Sequence, residues 1–273
     1  MRELSGKVAV ITGAGSGIGR ALALRFAAEG MTLMLADVDH GALAETAAQA
    51  GDAEVLTQIT DVSDASSVRH LADRCFGELR AVHVLCNNAG VFQGGHLWTR
   101  GEEDLAWLLG VNLWGVLHGI REFVPRMIEQ DTEGHIVNTV SAAGLFTTPG
   151  TGGYSVGKHA ALAASQALAH DLADAGSKLR VTALCPGAVR TRIADSARLR
   201  PASLATMPCR DEAAAQEAVS RAVERGMEPS EVAGLVVDAI RDERFLLLTD
   251  QEHAARLRLQ TETLLSGRLP VHH

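Results

Sequence analysis

Residues 7–19 read KVAVITGAGSGIG, an apolar run followed at once by a turn rich in glycine. The apolar run, residues 7–12, is typical of a buried strand, and the residues after the turn are predicted to form a helix to about Glu29. A glycine-rich turn alone is also compatible with a tight loop. The order strand, turn, helix favours a dinucleotide site, because glycines let the backbone approach a pyrophosphate whose charge the helix N-terminus stabilises. The residues of the turn expected to contact the dinucleotide are Gly13, Ser16, Gly17, Ile18 and Gly19.

A second apolar run, residues 32–36, ends at Asp37. A carboxylate at the end of this strand is placed to accept hydrogen bonds from both ribose hydroxyls of an adenosine. It would also repel a 2′-phosphate at moderate dielectric. No lysine or arginine occupies positions 14–16 or 38 to offset this repulsion, and Arg20 is expected to face solvent or phosphate. We therefore predict that NAD is the cofactor in preference to NADP.

Strand patterns and helix patterns alternate along the first half of the chain. Helices are predicted over residues 41–50 and 65–76, and strands over residues 54–60 and 82–86. This alternation predicts an α/β fold with a parallel sheet and helices on both faces.

Short polar motifs follow the third and fourth predicted strands. Asp61-Val62 closes the third strand, and Asn87-Asn88-Ala89-Gly90 follows the fourth. Both motifs would lie at carboxyl ends of parallel strands, where ligands of open α/β sheets bind. Alternatively, Asp61 caps a helix and residues 87–90 form an asparagine-rich turn.

The alternation continues through the second half of the chain. The predicted elements are a helix over residues 102–127, a strand over 135–140, a helix over 153–175, a strand over 180–185, a strand over 245–249 and a helix over 251–265. Asn112 lies beside the apolar stripe of the first of these helices. It is either a satisfied core asparagine or an anchor for a water molecule that links Lys158 to solvent. Pro186-Gly187 forms a rigid turn after the strand over 180–185.

Composition and charge limit the class of protein. We expect the 273 residues to form one domain, residues 1–273, with a flexible tail at 266–273. A net charge of −8 without any basic run argues against nucleic-acid binding. The chain lacks an apolar run of ~18 residues and a signal-peptide pattern, so we expect a cytoplasmic protein without a membrane span. The cysteines lack the spacing of a metal site and are expected to be buried free thiols: Cys75, Cys86, Cys185 and Cys209.

Tyr154 is the only tyrosine of the chain, and Lys158 follows it at the spacing of one helical turn. On a helix these two side chains share a face and lie close enough to interact. A neighbouring cation favours phenolate, so Lys158 is expected to lower the pKa of Tyr154 and make it a general acid/base. Ser141 ends the strand over residues 135–140, where its hydroxyl can hydrogen-bond a substrate oxygen. Alone, a tyrosine and lysine at this spacing are more often an ordinary surface contact.

Together these motifs make the chain similar to the short-chain dehydrogenase/reductase family over residues 6–192, and less specifically to about residue 249. The matching pieces are Thr12–Gly19, Asp61-Val62, 87–90, Asn112, Ser141, Tyr154-x-x-x-Lys158 and Pro186-Gly187. The resemblance implies a Rossmann-like, doubly wound fold with a seven-stranded parallel sheet. It implies that Tyr154 donates and accepts the proton, that Ser141 orients the substrate oxygen, and that Lys158 lowers the tyrosine pKa and holds the nicotinamide ribose. Asn112 would then support the proton relay.

The resemblance also implies the remaining cofactor contacts and the reaction. Asp61 beside Val62 would contact the adenine, residues 88–90 would line the ribose, and the nicotinamide would be flanked by Pro186, Gly187, Val189 and Thr191. The implied reaction is reversible hydride transfer between the nicotinamide and the carbinol carbon of an alcohol. Family members usually assemble, so we expect a homodimer or homotetramer.

The substrate side is expected to be apolar and to accept a bulky secondary alcohol or ketone. Its predicted lining is Phe92, Gln93, Trp98, Leu145 and Phe146. Residues 188–228 form a long connection that we expect to act as a substrate lid. Its arginines (Arg192, Arg198, Arg200 and Arg210) would either bind an acidic substrate or belong to a solvated helical face. Two alternatives to a dehydrogenase stay open: a slow-turnover cofactor-binding regulatory protein, and a lyase or epimerase on the same scaffold.

Overall fold

A computed structural model describes residues 1–205 and 210–270 of the chain. The strands are β1 (Val8–Thr12), β2 (Thr32–Asp37), β3 (Val55–Ile59), β4 (Val84–Asn87), β5 (Gly134–Thr139), β6 (Leu179–Cys185) and β7 (Leu246–Leu248). The helices are α1 (Gly17–Ala28), α2 (His40–Gln49), α3 (Ala65–Arg74), α4 (Glu102–Leu109), α5 (Gly115–Glu129), α6 (Gly152–Asp174), α7 (Arg210–Glu224), α8 (Pro229–Arg241) and α9 (Glu252–Leu265). The predicted alternation of strands and helices is confirmed.

The seven strands pair in parallel in the order β3-β2-β1-β4-β5-β6-β7. The chain starts in the middle with β1, runs outward to β3, and then crosses back to β4 on the other side of β1. This confirms the predicted doubly wound, Rossmann-like sheet. Strand order reverses between β1 and β4, and the carboxyl ends at such a switch point form the crevice where these folds bind ligands.

Helices cover both faces of the sheet, so consecutive strand residues are buried on opposite sides. Ile11 packs on one face with Phe26 of α1 and Val236 of α8. Val10 packs on the other face with Leu71 of α3, and the same cluster includes residues of α5 and α6. Burial on both faces explains why these strands are continuous apolar runs rather than alternating ones.

The predicted helix over residues 102–127 is interrupted. A π-helical turn, Gly110–Trp114, separates α4 from α5. Within it the buried Asn112 bonds the backbone of Val91: Nδ2 donates to its oxygen at 2.8 Å, and Oδ1 accepts from its nitrogen at 3.1 Å. Apolar periodicity does not reveal the one extra residue of a π turn. The helix predicted over 65–76 was misjudged for the same reason: it ends at Arg74, before a second π turn, Cys75–Leu79.

The connection over residues 188–228 is partly ordered by short helices. Two 3-10 turns, Ile193–Leu199 and Ala202–Leu204, precede α7, and Val189 pairs with Met227 where the segment returns. Cys75, Cys86 and Cys185 are buried free thiols as predicted, whereas Cys209 lies outside the described residues. The side chain of Arg210 and residues 271–273 of the predicted tail lie outside them as well. Among the described residues, no helix combines the length and apolarity that crossing a membrane requires.

Candidate active site

A cavity of about 390 Å³ opens at the carboxyl edge of the sheet. It contains most of the predicted site residues, which come from the glycine-rich turn, from the ends of β2, β3, β4 and β5, from α6 and from the segment after β6. The predicted residues that line it are Gly13, Ser16, Gly17, Ile18, Asp37, Asp61, Val62, Asn88, Ala89, Gly90, Phe92, Ser141, Tyr154, Lys158, Pro186, Gly187, Val189 and Thr191. Gly19 and Asn112 are buried and lie behind this wall.

The glycine-rich turn forms its side of the cavity from backbone atoms. Gly13 has φ +66°, and a Cβ added there would lie 2.8 Å from the Cα atom of Ala89. At Gly17 an added Cβ would lie 2.9 Å from Cγ2 of Thr191. The N-cap residue of α1, Ser16, makes no side-chain capping hydrogen bond. The first N–H groups of α1 therefore lie at the cavity wall, which suits an anionic group.

Asp37 is fixed at the end of β2 by two backbone donors. Its Oδ2 atom accepts from Gly15 N at 2.8 Å, and its Oδ1 atom accepts from Asp39 N at 3.0 Å. Arg20 does not face solvent or phosphate as expected. Its Nη2 atom donates to the Gly15 carbonyl of the glycine-rich turn at 2.6 Å and pairs at 3.0 Å with Glu45, which α2 brings beside α1.

A chain of hydrogen bonds joins the loop after β4 to its neighbouring strands. Thr12 Oγ1 accepts from Asn88 N at 3.0 Å and from Ala89 N at 3.1 Å. Thr139 Oγ1 donates to Asn88 Oδ1 at 3.1 Å, and the Thr139 carbonyl accepts from Lys158 Nζ at 2.8 Å. The two threonines therefore fix the positions of residues 88–90 and of Lys158 relative to each other.

Tyr154 and Lys158 lie on one face of α6 and both line the cavity. Lys158 is only 2% exposed, and its Nζ atom lies 5.8 Å from the centre of the Tyr154 ring. Burial lowers the pKa of Lys158 to about 8. Burial also raises the pKa of Tyr154, and hydrogen bonding with Ser141 lowers it only in part. This upward direction is opposite to the predicted one, because desolvation of the phenolate outweighs the effect of its neighbours.

Ser141 has a strained backbone. Its φ of +129° lies in a region that non-glycine residues rarely adopt, which costs roughly 1–3 kcal/mol. Its Oγ atom accepts from Ala143 N at 3.1 Å and so starts the 3-10 turn Ala142–Gly144. An added Cβ at Gly144 would lie 2.7 Å from the Lys158 carbonyl oxygen, so the turn sits directly on α6. This close packing holds Ser141 beside Tyr154.

Asn112 lies behind the cavity wall that Ser141, Tyr154 and Lys158 form, rather than in it. Both polar atoms of its side chain bond Val91, which agrees with the interpretation of a satisfied core asparagine. A Cβ added at Gly90 would lie 3.2 Å from Asn112 Oδ1 and 3.4 Å from Lys158 Nζ. The Asn112 side chain therefore fixes the position of the Gly90-Val91 backbone beside Lys158.

These residues lie together at the switch point of a doubly wound sheet. Comparison with known proteins shows the family to which the chain belongs. A sequence profile described as short chain dehydrogenase matches residues 7–202. The chain belongs to the short-chain dehydrogenase family. It is therefore an oxidoreductase of this family by sequence and by fold.

This short-chain dehydrogenase has relatives along its whole length. It is 36% identical over 262 residues to a 1-deoxy-11-beta-hydroxypentalenate dehydrogenase from Streptomyces exfoliatus, which covers 94% of this chain and 88% of the relative. It is 30% identical to a CLA biosynthesis dehydrogenase/reductase from Lactiplantibacillus plantarum, over 100% of this chain and 98% of the relative. A crystal structure of a short-chain dehydrogenase/reductase from Burkholderia phymatum in complex with NAD is 46% identical, with a TM-score of 0.97 and coverage of 100% and 99%.

The apolar part of the cavity wall in this short-chain dehydrogenase differs from the predicted substrate lining. Phe92 lines the cavity and meets Tyr154 edge-on at 5.3 Å between ring centres. Leu145 and Phe146 do not line it: Phe146 packs on α9, where Arg256 lies 4.3 Å from its ring centre. The chain turns toward α9 after the 3-10 turn that follows Ser141, which carries both side chains away from the cavity.

Gln93 and Trp98 are also not at the cavity. Gln93 is 5% exposed and donates to Asp104 Oδ1 at 2.9 Å, whereas Trp98 is 81% exposed and stacks on His96. The side chains that replace them come from α4, the adjoining π turn, the segment after β6, and α7. They are Trp107, Val111, Ile193, Leu199, Pro201, Val219, Ala222 and Val223. The amphipathic pattern of α7 was a signal that could have revealed part of this set.

A buried ionic cluster supports this wall from behind. Arg200 Nη1 pairs with Asp104 Oδ1 at 2.8 Å, and Arg100 Nη1 pairs with Glu212 Oε2 at 3.0 Å. The guanidinium of Arg200 also lies 5.2 Å from the ring centre of Trp107. Arg200 therefore belongs neither to a solvated face nor to an acid-binding lid. The cluster ties the segment after β6 and α7 to the start of α4.

Proposed function

We propose that this protein catalyses reversible hydride transfer between a nicotinamide cofactor and a secondary alcohol or ketone, with Tyr154 as general acid/base. The observation that carries the proposal is the convergence of Ser141, Tyr154 and Lys158 in the cavity that also contains the glycine-rich turn and Asp37. Few other reactions require a buried phenol, a buried lysine and a dinucleotide cradle at one sheet edge.

The residues present fit a dinucleotide. A side chain at Gly13 or Gly17 would fill the cradle beside the N-terminus of α1, and glycine leaves that space for a pyrophosphate. Asp37 is held with its carboxylate at the cavity, which suits ribose hydroxyls and opposes a 2′-phosphate. We therefore propose NAD in preference to NADP. The NAD complex of the Burkholderia phymatum relative supports this choice.

In the proposed mechanism a nicotinamide held beside Tyr154 and Lys158 would accept or supply the hydride, and side chains of the protein exchange the proton. Ser141 orients the substrate oxygen, and Tyr154 exchanges a proton with it. The raised pKa of Tyr154 keeps the phenol neutral near pH 7, which suits proton donation in ketone reduction. Alcohol oxidation requires phenolate, so its rate should increase with pH. Lys158 holds the nicotinamide ribose and favours phenolate while it remains charged.

The proposed substrate is bulky and mainly apolar. Phe92, Trp107, Leu199 and Val219 bring apolar surface to the cavity, and the arginine nearest to Trp107 is paired with Asp104. Residues 188–228 supply Leu199 and Val219, which supports their role as a substrate lid. A homo-oligomer is also proposed, because the half-exposed Trp114 and Val156 leave apolar surface on the π turn and α6.

The Tyr154→Phe variant tests the proposed function. Loss of the hydroxyl removes the proton carrier but little volume, so turnover should fall at least ~100-fold while NADH binding persists. Turnover is followed as NADH formation over a panel of secondary alcohols, and binding as NADH fluorescence. Retention of most of the wild-type rate would exclude Tyr154 as the acid/base. NADH binding without turnover of any alcohol or ketone by the wild type would favour the regulatory or lyase alternatives.

A further inference from the structure

Arg198 is one of the residues that line the cavity. It lies in the 3-10 turn Ile193–Leu199 after β6, and its Nη1 atom lies 3.3 Å from Oδ2 of Asp39. Asp39 follows Asp37 by two residues and caps α2, where its Oδ1 atom accepts from Ala42 N at 3.1 Å. The ion pair therefore joins the segment after β6 to the end of β2, on the opposite side of the switch point.

The segment that carries Arg198 is fixed at two further points. Thr191 packs against Gly17, as the 2.9 Å approach to an added Cβ shows. Ser196, which is 3% exposed, accepts from Phe92 N at 3.0 Å. The segment thus contacts the glycine-rich turn at Thr191, then Phe92 beside Tyr154 at Ser196, and it ends with Arg198 beside Asp39.

Arg198 also faces the space where the adenosine half of the cofactor would lie. Its side chain lines the same cavity as Asp37 and Val38 and is 24% exposed. A second carboxylate, Asp195 of the same turn, lies 3.3 Å from Arg198 Nε and holds the guanidinium toward Asp39. Two neighbouring carboxylates leave little positive charge for a 2′-phosphate, so this arginine is not a substitute for an NADP-binding cation.

We propose that Arg198 is a cofactor-retaining residue, whose ion pair with Asp39 must open before the dinucleotide leaves. The proposal rests on the proposed function, since it takes the cavity as the NAD site. In a closed cavity the segment after β6 lies across the dinucleotide, and Arg198 fastens its far end. Breaking the pair frees that end and gives the adenosine half a route to solvent. The cofactor should then dissociate faster, whatever the rate of the chemical step.

The experiment measures cofactor release rather than turnover. Arg198→Ala removes the cation, and Asp39→Asn removes the charge but keeps a residue that caps helices equally well. Stopped-flow fluorescence records NADH release at low ionic strength, and equilibrium fluorescence records its dissociation constant. Each variant should release NADH about three- to fivefold faster, the range that one partly exposed ion pair supports. The double variant should release it no faster than Arg198→Ala, because both changes break the same pair.

The control is Arg221→Ala on α7. Arg221 makes an exposed ion pair with Glu217 at 2.6 Å, away from the cavity, so its loss should leave NADH release unchanged. At about 1 M salt, where exposed charges are screened within ~3 Å, the wild type should approach the rate of Arg198→Ala. Unchanged release in Arg198→Ala, an additive double variant, or an equal effect of Arg221→Ala would overturn the proposal. Failure of the wild type to bind NADH would instead refute the proposed function.

Discussion

The cavity wall around Gly13 is backbone, whereas the wall around Trp107 is side chain. A Cβ added at Gly13 would meet the Ala89 backbone, 2.8 Å from its Cα atom, and would lie 3.2 Å from Nδ2 of Asn88. Trp107 lies between the cavity and the buried ionic cluster of Arg100, Asp104, Arg200, Asp211 and Glu212. We call these the cofactor half and the substrate half. The first is held by close backbone contacts and by the hydrogen bonds of Asn88, and the second holds its shape only while its charges stay paired.

Neutralising Asp104 should have the largest effect on the substrate half. Asp104 is 4% exposed and accepts from both Arg200 and Gln93, so Asp104→Asn leaves buried guanidinium charge without its counter-ion. Breaking a buried pair in this way costs about 3–5 kcal/mol. The free energy of unfolding should fall by about 3 kcal/mol in urea titrations. The dissociation constant of NADH should change less than twofold, because the segment after β6 keeps its own contacts with the cofactor half through Thr191, Ser196 and Arg198.

Glu217→Gln is the matched control for that variant. Its ion pair with Arg221 is exposed on both sides, so the free energy of unfolding should change by less than about 0.5 kcal/mol. A similar loss of stability in both variants would mean that the buried cluster stabilises the fold no more than an exposed ion pair does. A strong loss of NADH affinity in Asp104→Asn would show that the two halves are not independent.

Lys158 stands where the two halves meet, and its burial should make stability depend on pH. The folded protein releases the Lys158 proton near pH 8, whereas an exposed lysine releases it near 10.5. Between these values the unfolded chain binds the additional proton, so the contribution of Lys158 to the free energy of unfolding rises with pH. From pH 8 to pH 10 the rise due to Lys158 should be about 2 kcal/mol.

Urea titrations at pH 8, 9 and 10 measure this rise as the difference in the free energy of unfolding between the wild type and Lys158→Met. The difference should increase by about 2 kcal/mol from pH 8 to pH 10. The difference between the wild type and Lys178→Met, which removes a lysine paired with Asp131 at the surface, should stay constant. The raised pKa values of the buried thiols Cys75, Cys86 and Cys185 lower the free energy of unfolding in the same window, but they do so in all three proteins and cancel in the difference. A difference from Lys158→Met that does not change with pH would show that the Lys158 ammonium is not destabilised by burial.

The cofactor half could be predicted from sequence because its determinants are local. The strand before Gly13, the turn itself and Asp37 follow each other within one βαβ unit, and the periodicity of each element is plain. Ser141, Tyr154 and Lys158 could be placed at the same edge because parallel strands share their carboxyl ends. The direction in which the Tyr154 pKa shifts could not be predicted, since it depends on how deeply the phenol is buried.

The substrate half could not be predicted because its contacts join distant parts of the chain. Gln93 was expected at the substrate, yet it bonds Asp104 on α4. Phe146 was expected there too, yet it packs against Arg256 of α9. Trp107 and Val219 line the cavity from helices whose periodicity gives an apolar face but not its partner. Which apolar face meets which cavity is set by packing between elements, and a single sequence does not encode it locally.

Two glycines with the same φ angle test whether close backbone contact shapes the cofactor half. Gly13 and Gly51 both have φ +66°, but an added Cβ meets the Ala89 Cα at 2.8 Å in the first case and nothing within 4 Å in the second. Alanine at either position costs about 1–2 kcal/mol for the left-handed conformation. Only Gly13→Ala also forces the glycine-rich turn away from residues 88–90, and overpacking of this kind costs about 1–3 kcal/mol more. NADH affinity should therefore fall at least about tenfold in Gly13→Ala and stay within twofold of wild type in Gly51→Ala. Fluorescence titration with NADH at equal folded fraction checks both, and equal affinities in the two variants would show that backbone contact at Ala89 does not shape the cofactor half.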